Sequence, residues 1–308
     1  MKIDLGKLPE DMRLIEEGRQ ARSADLLDEL PEAQASGEQR RIYSEIRRLS
    51  AVPMVALIYR HLATIPGALE WAWGLIGPAM LTGRVQLRAW EIAAAAVIPG
   101  NRAIPHGALR VAGIDAAAEA AIGQVLDAYN RANPVNMLVV GCLARHLARQ
   151  GGQAAAASAG PWQPPPTPAP LPTMVDPAAM TPAVRELVLL LTDRDEGRAP
   201  SPLWPSLYRH LANWPAMLGY ASIVIVPEFA VIDAAAARLH EQVTAAAADI
   251  AWQTAPSADL VAPQACERHR LLSAIDRFGS RIPEMVVIGG LLRRALPPTD
   301  SRREKRGN

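Results

Sequence analysis

The chain has 308 residues, 50% of them hydrophobic, with 32 basic and 31 acidic side chains and a formal charge of +1. That length leaves room for two domains or one large one with a sizeable core, and the near-even balance gives no field to gather nucleic acid or an anionic membrane. Two cysteines, Cys142 and Cys266, exclude a disulfide scaffold and a cysteine-based zinc site.

Residues 1–38 read as an N-terminal arm without the apolar core of a signal peptide. A helix is predicted over Arg40 to Leu49, with Ile42, Ile46 and Leu49 on one face and Arg41, Glu45 and Arg48 opposite. The most apolar stretch, Ala68 to Gly83, carries Glu70 and Pro78 and is too short to span a bilayer. Trp90 to Ile98 reads as a buried, alanine-rich helix stopped by Pro99-Gly100. Asp115 is placed to cap a helix through Ala120, Ile122, Val125 and Tyr129, and Asn133-Pro134 reads as the cap and first-turn proline of the next. Residues 151–178, rich in Ala and then Pro, read as a semi-rigid linker. Thr181-Pro182 opens a helix over Val184 to Leu191, Ile223 to Val226 is ambiguous, and Ala235 to Trp252 reads as one long helix. Residues 297–308 read as a disordered basic tail. The fold class is all-α, in a soluble and cytoplasmic protein.

An internal echo organises these elements. Pro53-Met-Val-Ala-Leu-Ile-Tyr-Arg-His-Leu-Ala63 answers Pro202-Leu-Trp-Pro-Ser-Leu-Tyr-Arg-His-Leu-Ala212 without a gap. A weaker echo pairs Met137-Leu-Val-Val-Gly-Cys-Leu-Ala-Arg145 with Met285-Val-Val-Ile-Gly-Gly-Leu-Leu-Arg293. Two echoes in one order predict two pseudo-symmetric helical repeats, residues 39–150 and 179–296, on either side of the linker.

Most catalytic signatures are missing. There is no phosphate loop, dinucleotide fingerprint or nucleophile elbow. His240-Glu241 lacks the second histidine of a zincin, and Cys266-Glu-Arg-His269 has too few ligands for a metal, so neither metal nor cofactor is expected. His61 and His210 in the echoed helices read as partly buried and hydrogen-bonded, and Trp71, Trp73, Trp204 and Trp214 as core. Cys142 and His146 share a helix face, as in alkylhydroperoxidase relatives, but Val139 stands where the first cysteine would be.

Three stretches together resemble the group I 2-haloacid dehalogenases: Val52-Pro-Met-Val-Ala-Leu-Ile-Tyr-Arg-His-Leu-Ala-Thr-Ile-Pro-Gly67, Val125-Leu-Asp-Ala-Tyr-Asn-Arg-Ala-Asn-Pro134 and Leu211-Ala-Asn-Trp-Pro215. The likeness spans about Gln39 to Leu296. It implies two helical halves with a site between them, usually in a homodimer. It also implies hydrolysis of either enantiomer of a 2-haloacid, in which an aspartate deprotonates a water that displaces halide with inversion. By that resemblance Asn133 would hold the water, Ser206 would stand beside the base, and Met54, Leu57, Thr64 and Tyr208 would contact the substrate. The position of the base itself is Leu207, which has no lone pair to take a proton. General-base assistance is worth ~10²–10⁴ in rate, so this residue argues against the family reaction. Three readings stay open. A relocated carboxylate such as Asp193, Asp195 or Glu196 restores the reaction, with Glu70 and Asp127 as weaker substitutes. Alternatively, the reaction is altered or lost and the pocket still takes a small 2-substituted carboxylic acid, with Arg60 and Arg209 as candidate partners for its charge. Otherwise the protein is a structural or partner-binding one, with the pocket collapsed by Leu207 and Met54.

Overall fold

The computed structural model describes residues 27–96, 98, 103–148, 162–192, 204–253, 260–261 and 263–297. Most of the predicted N-terminal arm and basic tail, the Ala-rich part of the linker, Pro99-Gly100, and Asp193, Asp195 and Glu196 lie outside these residues. Among the described residues all regular structure is helical: α1 (Gly37–Ser50), α2 (Leu57–Leu62), α3 (Ala68–Leu81), α4 (Arg84–Ala95), α5 (His106–Val111), α6 (Ala116–Ala148), α7 (Pro182–Thr192), α8 (Ser206–Leu211), α9 (Pro215–Ile225), α10 (Phe229–Gln253) and α11 (Ala265–Ala295).

The two longest helices, α6 and α11, pack along each other, with α10 and α4 laid against α6. At roughly 1.5 Å per residue α6 spans about 50 Å. Its buried face runs from Ile122 through Val125, Leu126, Val135, Leu138, Val139 and Leu143, and this continuous apolar stripe keeps it helical. Pro134 lies inside it, and Pro283 lies inside α11. Asn133-Pro134 is therefore a mid-helix step and not a new N-terminus. A mid-helix proline removes one backbone bond and crowds the preceding turn, at a cost of ~3 kcal/mol; burial of Pro134 and its neighbours against α11 and α10 offsets it. Asn130 donates across the packing to the carbonyl of Gly289 at 3.1 Å.

Local signals place other elements as read. Ile42, Ile46 and Leu49 are buried on α1. Asp115 Oδ1 accepts from the Ala118 N–H at 2.7 Å, and Thr181 Oγ1 from the Val184 N–H at 3.3 Å, capping α6 and α7. Three boundaries differ. The helix of Trp90 starts at Arg84 and ends at Ala95, with Glu91 and Ala94 exposed, so it is half-buried. The ambiguous Ile223–Val226 run is the end of α9 and a tight turn, and α10 begins at Phe229 rather than Ala235. The longest apolar run is also elsewhere: Pro215–Ile250 contains an 18-residue window with a mean hydropathy of 1.7, and is long and apolar enough by length and composition to cross a membrane. Here it is interrupted at Val226–Glu228 and packs on α4, α6, α7 and α11.

Two segments outside the helices position the site. Residues 27–36 dock on α2: Leu30 N–H donates to the Arg60 carbonyl at 2.9 Å, and the Tyr43 hydroxyl donates to the Leu30 carbonyl at 3.1 Å. Part of the predicted arm is thus a packed element. The Pro-rich residues 162–176, ahead of α7, run without regular structure. At its start the Trp162 N–H donates to Leu81 and the ring packs 6.0 Å from that of Trp90. Arg131 donates to Pro166 at 3.1 Å. At its far end Val175 N–H donates to the Arg209 carbonyl at 3.1 Å, and Asn213 donates to Thr173 at 3.0 Å.

Gly83 is where this strap begins to be held. Its φ is +74°, and a β-carbon there would lie 2.4 Å from the nearest Trp162 ring atom. Gly83→Ala is expected to cost about 1–2 kcal/mol for the left-handed backbone alone and to unseat Trp162. Urea unfolding of Gly83→Ala in the unmodified chain and in a Trp162→Ala background checks it; equal losses in the two would mean that Trp162 is not held there.

Candidate functional site

A cavity of about 580 Å³ lies where the ends of α2 and α8 meet the middles of α6 and α11. From α6 it is lined by Tyr129, Ala132, Asn133 and Asn136, and from α11 by Phe278, Arg281, Ile282 and Met285. Both sets follow the i, i+3, i+4, i+7 spacing of one helix face. Each α6 residue is 149 positions before its α11 counterpart, the separation of Tyr59 from Tyr208 in the echoed runs. Pro134 and Pro283 obey the same spacing, one residue off the Met137/Met285 pairing. Pro170–Met174 of the strap supply a further wall, and Glu32 and Ala33 another.

The equivalent positions differ in chemistry. The α6 stripe is polar, with Tyr129, Asn133 and Asn136, where α11 has Phe278, Ile282 and Met285. The short helices are reversed: α8 contributes Ser206 and His210 along with Leu207, where α2 contributes Leu57 and Ile58. Because α6 packs on α8 and α11 on α2, the cavity has a side of neutral polar groups and a mainly apolar side, on which Arg60 and Arg281 also stand.

On the polar side, the Tyr129 hydroxyl and His210 Nδ1 are 2.8 Å apart, with the rings edge to face at 5.5 Å. His210 is 4% exposed, and burial pushes its pKa down to about 4, so the ring is neutral. The Ser206 carbonyl lies 3.2 Å from Nδ1, and the Pro172 carbonyl is a second backbone acceptor. We assign the ring N–H to Pro172, which leaves Nδ1 to accept from the Tyr129 O–H. Burial raises the Tyr129 pKa, while the Ser206 hydroxyl, hydrogen-bonded to it, works in the other direction. Asn136 is 4% exposed, yet neither its amide nor that of Asn133 meets a hydrogen-bond partner among the described residues. Both face the cavity from mid-helix, so neither amide is spent on a cap.

The charged groups of the lining are already engaged. Arg60 donates from Nε to Glu29 at 2.6 Å and from Nη1 to the Val55 carbonyl, and its Nη2 is buried without a hydrogen-bond partner. Arg281 donates to Glu284 at 2.8 Å and to the Thr192 carbonyl at 2.6 Å. Glu32 accepts the Val55 N–H at 2.7 Å on one oxygen and meets Arg47 at 3.0 Å on the other. It is the one carboxylate among the described lining residues.

Of the residues singled out in the sequence, Met54, Leu57, Asn133, Ser206 and Leu207 share this cavity. Leu207 is 1% exposed, and Ser206 is the first residue of α8, with Pro205 in the cap position. Thr64 and Tyr208 lie outside the lining: the Thr64 hydroxyl donates to the His61 carbonyl at 2.8 Å, and Tyr208 is in the core. Arg209 holds the strap through Val175, Asp127 pairs with Arg293 at 2.7 Å, and Glu70 is not in the lining. Trp71, Trp73 and Trp204 are core, with Trp214 packed against it. Cys142 is fully buried on α6, which pushes its thiol up to about 12, while Cys266 is exposed. Among the described residues no three His, Cys, Asp or Glu side chains converge as a metal would need. Asn136, Tyr129 and the α11 stripe were not singled out as site residues. Their signal was the helix-face spacing, read in the register of the stronger echo.

No family model matches the chain, and no curated protein matches it by sequence. Solved structures do. A D-2-haloacid dehalogenase mutant superposes with a TM-score of 0.67 at 19% identity, covering 88% of this chain and 96% of that one. A D-2-haloacid dehalogenase with L-LA gives 0.66 at 19% identity, over 88% and 97%. A mutant with D-2-CPA gives 0.63 at 19%, over 88% and 96%. The fold is that of the D-2-haloacid dehalogenases. Nearly the whole length of those enzymes is matched, so the likeness takes in the helices around the cavity.

Proposed function

We propose that this chain is a relative of the 2-haloacid dehalogenases in which halide hydrolysis is altered or lost, and that its cavity is a binding site for a small 2-substituted carboxylic acid. The observation that carries this reading is Leu207. It lies in the cavity wall beside Ser206, in the lining that also holds Asn133, at the position where the resemblance implies the base. Water held by Asn133 would have no carboxylate there to take its proton, and Glu32 is bound on both oxygens. An amide orients water but does not deprotonate it.

The open volume of about 580 Å³ favours a binding site over a collapsed pocket. Action on either enantiomer, a homodimer and a cytoplasmic setting, all implied by the resemblance or the composition, belong to the same proposal. The test is thermal: a ligand that binds only the native state raises apparent stability by about 2.7 kcal/mol at a hundred times its Kd. 2-Chloropropanoate is expected to raise the melting temperature with no halide released. Release of halide would mean that the reaction persists. No shift with any small acid would favour a structural or partner-binding role.

A further inference from the structure

The division of the cavity into a polar and an apolar side specifies more of the ligand than its acid group. We propose that it takes a 2-substituted carboxylic acid with an extended apolar tail, the carboxylate held by Asn133 and Asn136 of α6 and the tail lying between α2 and α11. The proposal rests on the reading that the cavity binds a carboxylate.

The head assignment follows from which groups are free. Arg60 and Arg281 are neutralised by Glu29 and Glu284, and the one nitrogen that each leaves unpartnered is buried. The donors left are the two amides, one turn apart on α6, since the Ser206 hydroxyl is spent on Tyr129. Asn136 is otherwise buried and lines the cavity, so a ligand that accepts from its amide replaces the hydrogen bonds that water makes there. An acid group accepting from the two amides would satisfy both. Glu32, whose charge would repel it, is held by Arg47 and the Val55 N–H.

The tail assignment follows from size and composition. About 580 Å³ lies inside the ~300–1,000 Å³ range of sites that enclose drug-sized ligands, far more than a three-carbon acid fills. The surplus is bounded by Met54, Leu57, Ile58, Phe278, Ile282 and Met285. Two methionines in this wall suit a flexible chain, because their unbranched thioethers adapt to irregular shapes. Leu207 extends apolar surface to the edge of the head site, where a charged residue would interrupt it.

The test is a titration of the full chain by calorimetry with 2-bromopropanoate, 2-bromohexanoate and 2-bromooctanoate. Affinity is expected to rise about fourfold per added methylene, the factor for burying one CH₂. Met285→Trp should remove the chain-length dependence and leave 2-bromopropanoate bound. Asn136→Leu should weaken all three acids alike, by about tenfold to a hundredfold, with its melting curve confirming that it folds. A flat series in the unmodified protein would overturn the tail while leaving the carboxylate reading standing. Unchanged affinities in Asn136→Leu would overturn the head. Failure of every acid to bind would overturn the carboxylate reading itself.

Discussion

Leu207→Asp is expected to gain halide-releasing activity on 2-bromopropanoate of at least ~10² over the unmodified protein, the lower end of what a positioned general base supplies. The parent should release halide no faster than buffer. The new carboxylate would enter the lining that already contains Asn133 and Ser206. It would also be nearly sealed from solvent, since Leu207 is 1% exposed, and burial raises a carboxylate pKa. Activity should therefore climb with pH through a range above the usual carboxylate value, while stability falls because a charge replaces a packed leucine. Opposite signs in the two readouts separate this outcome from a general loosening of the fold. Halide release by the parent would place a working base elsewhere and overturn the proposed loss. Silence in both proteins, with Leu207→Asp folded, would mean that the missing base is not the only difference from an active site.

The second large effect concerns pH and His210. In the unfolded chain its imidazole titrates near 6.5, and in the folded protein burial holds it near 4. Above pH 6.5 the ring is neutral in both states and contributes no pH dependence. As pH falls below that value the unfolded state takes up the proton first, so stability drops until the native ring also titrates near pH 4. The expected loss is about 2 kcal/mol between pH 7.5 and pH 5, from the 1.36 kcal/mol carried by each pH unit. Urea unfolding of the unmodified protein and His210→Gln at both pH values checks this. The variant should start less stable, having weakened the bond to Tyr129, and lose much less on acidification. Equal losses in the two proteins would show that His210 is not the group responsible.

Much of the fold was legible because its signals are local. The face of Ile42, Ile46 and Leu49, the Asp115 cap and the Thr181-Pro182 start each depend on residues within a turn or two. Asn133-Pro134 was misread for the same reason. Asn before Pro is a good helix start by local chemistry, and only the packing of α6 on α11 and α10, from chain more than a hundred residues away, carries the helix through it. The site was legible in part. Asn133, Ser206, Leu207, Met54 and Leu57 share one cavity, whereas Thr64 and Tyr208 adjoin those runs in sequence but not in the lining. His210 read as a partly buried structural histidine because its twin His61 looks identical in sequence. In the fold His61 takes the Asp28 carbonyl at the surface while His210 turns inward to Tyr129. Glu32 and Ala33 carry no periodic signal, and nothing short of the docked chain places them at the cavity.

The strap from Trp162 to Asp176 gives covalent order a role in recognition. Pro170–Met174 lie on the chain between α6 and α7 and also form one side of the cavity, so the pocket has a wall that no helix supplies. A permuted chain, with new ends opened within the strap and the old ones joined, would retain every helix and the polar stripe of α6. Its wall would be two loose ends, each free to leave, and seating them would cost conformational entropy that the intact strap, tethered at Leu81 and at Arg209, has already lost in folding. Threading therefore determines how well the pocket is enclosed, independently of the residues that line it.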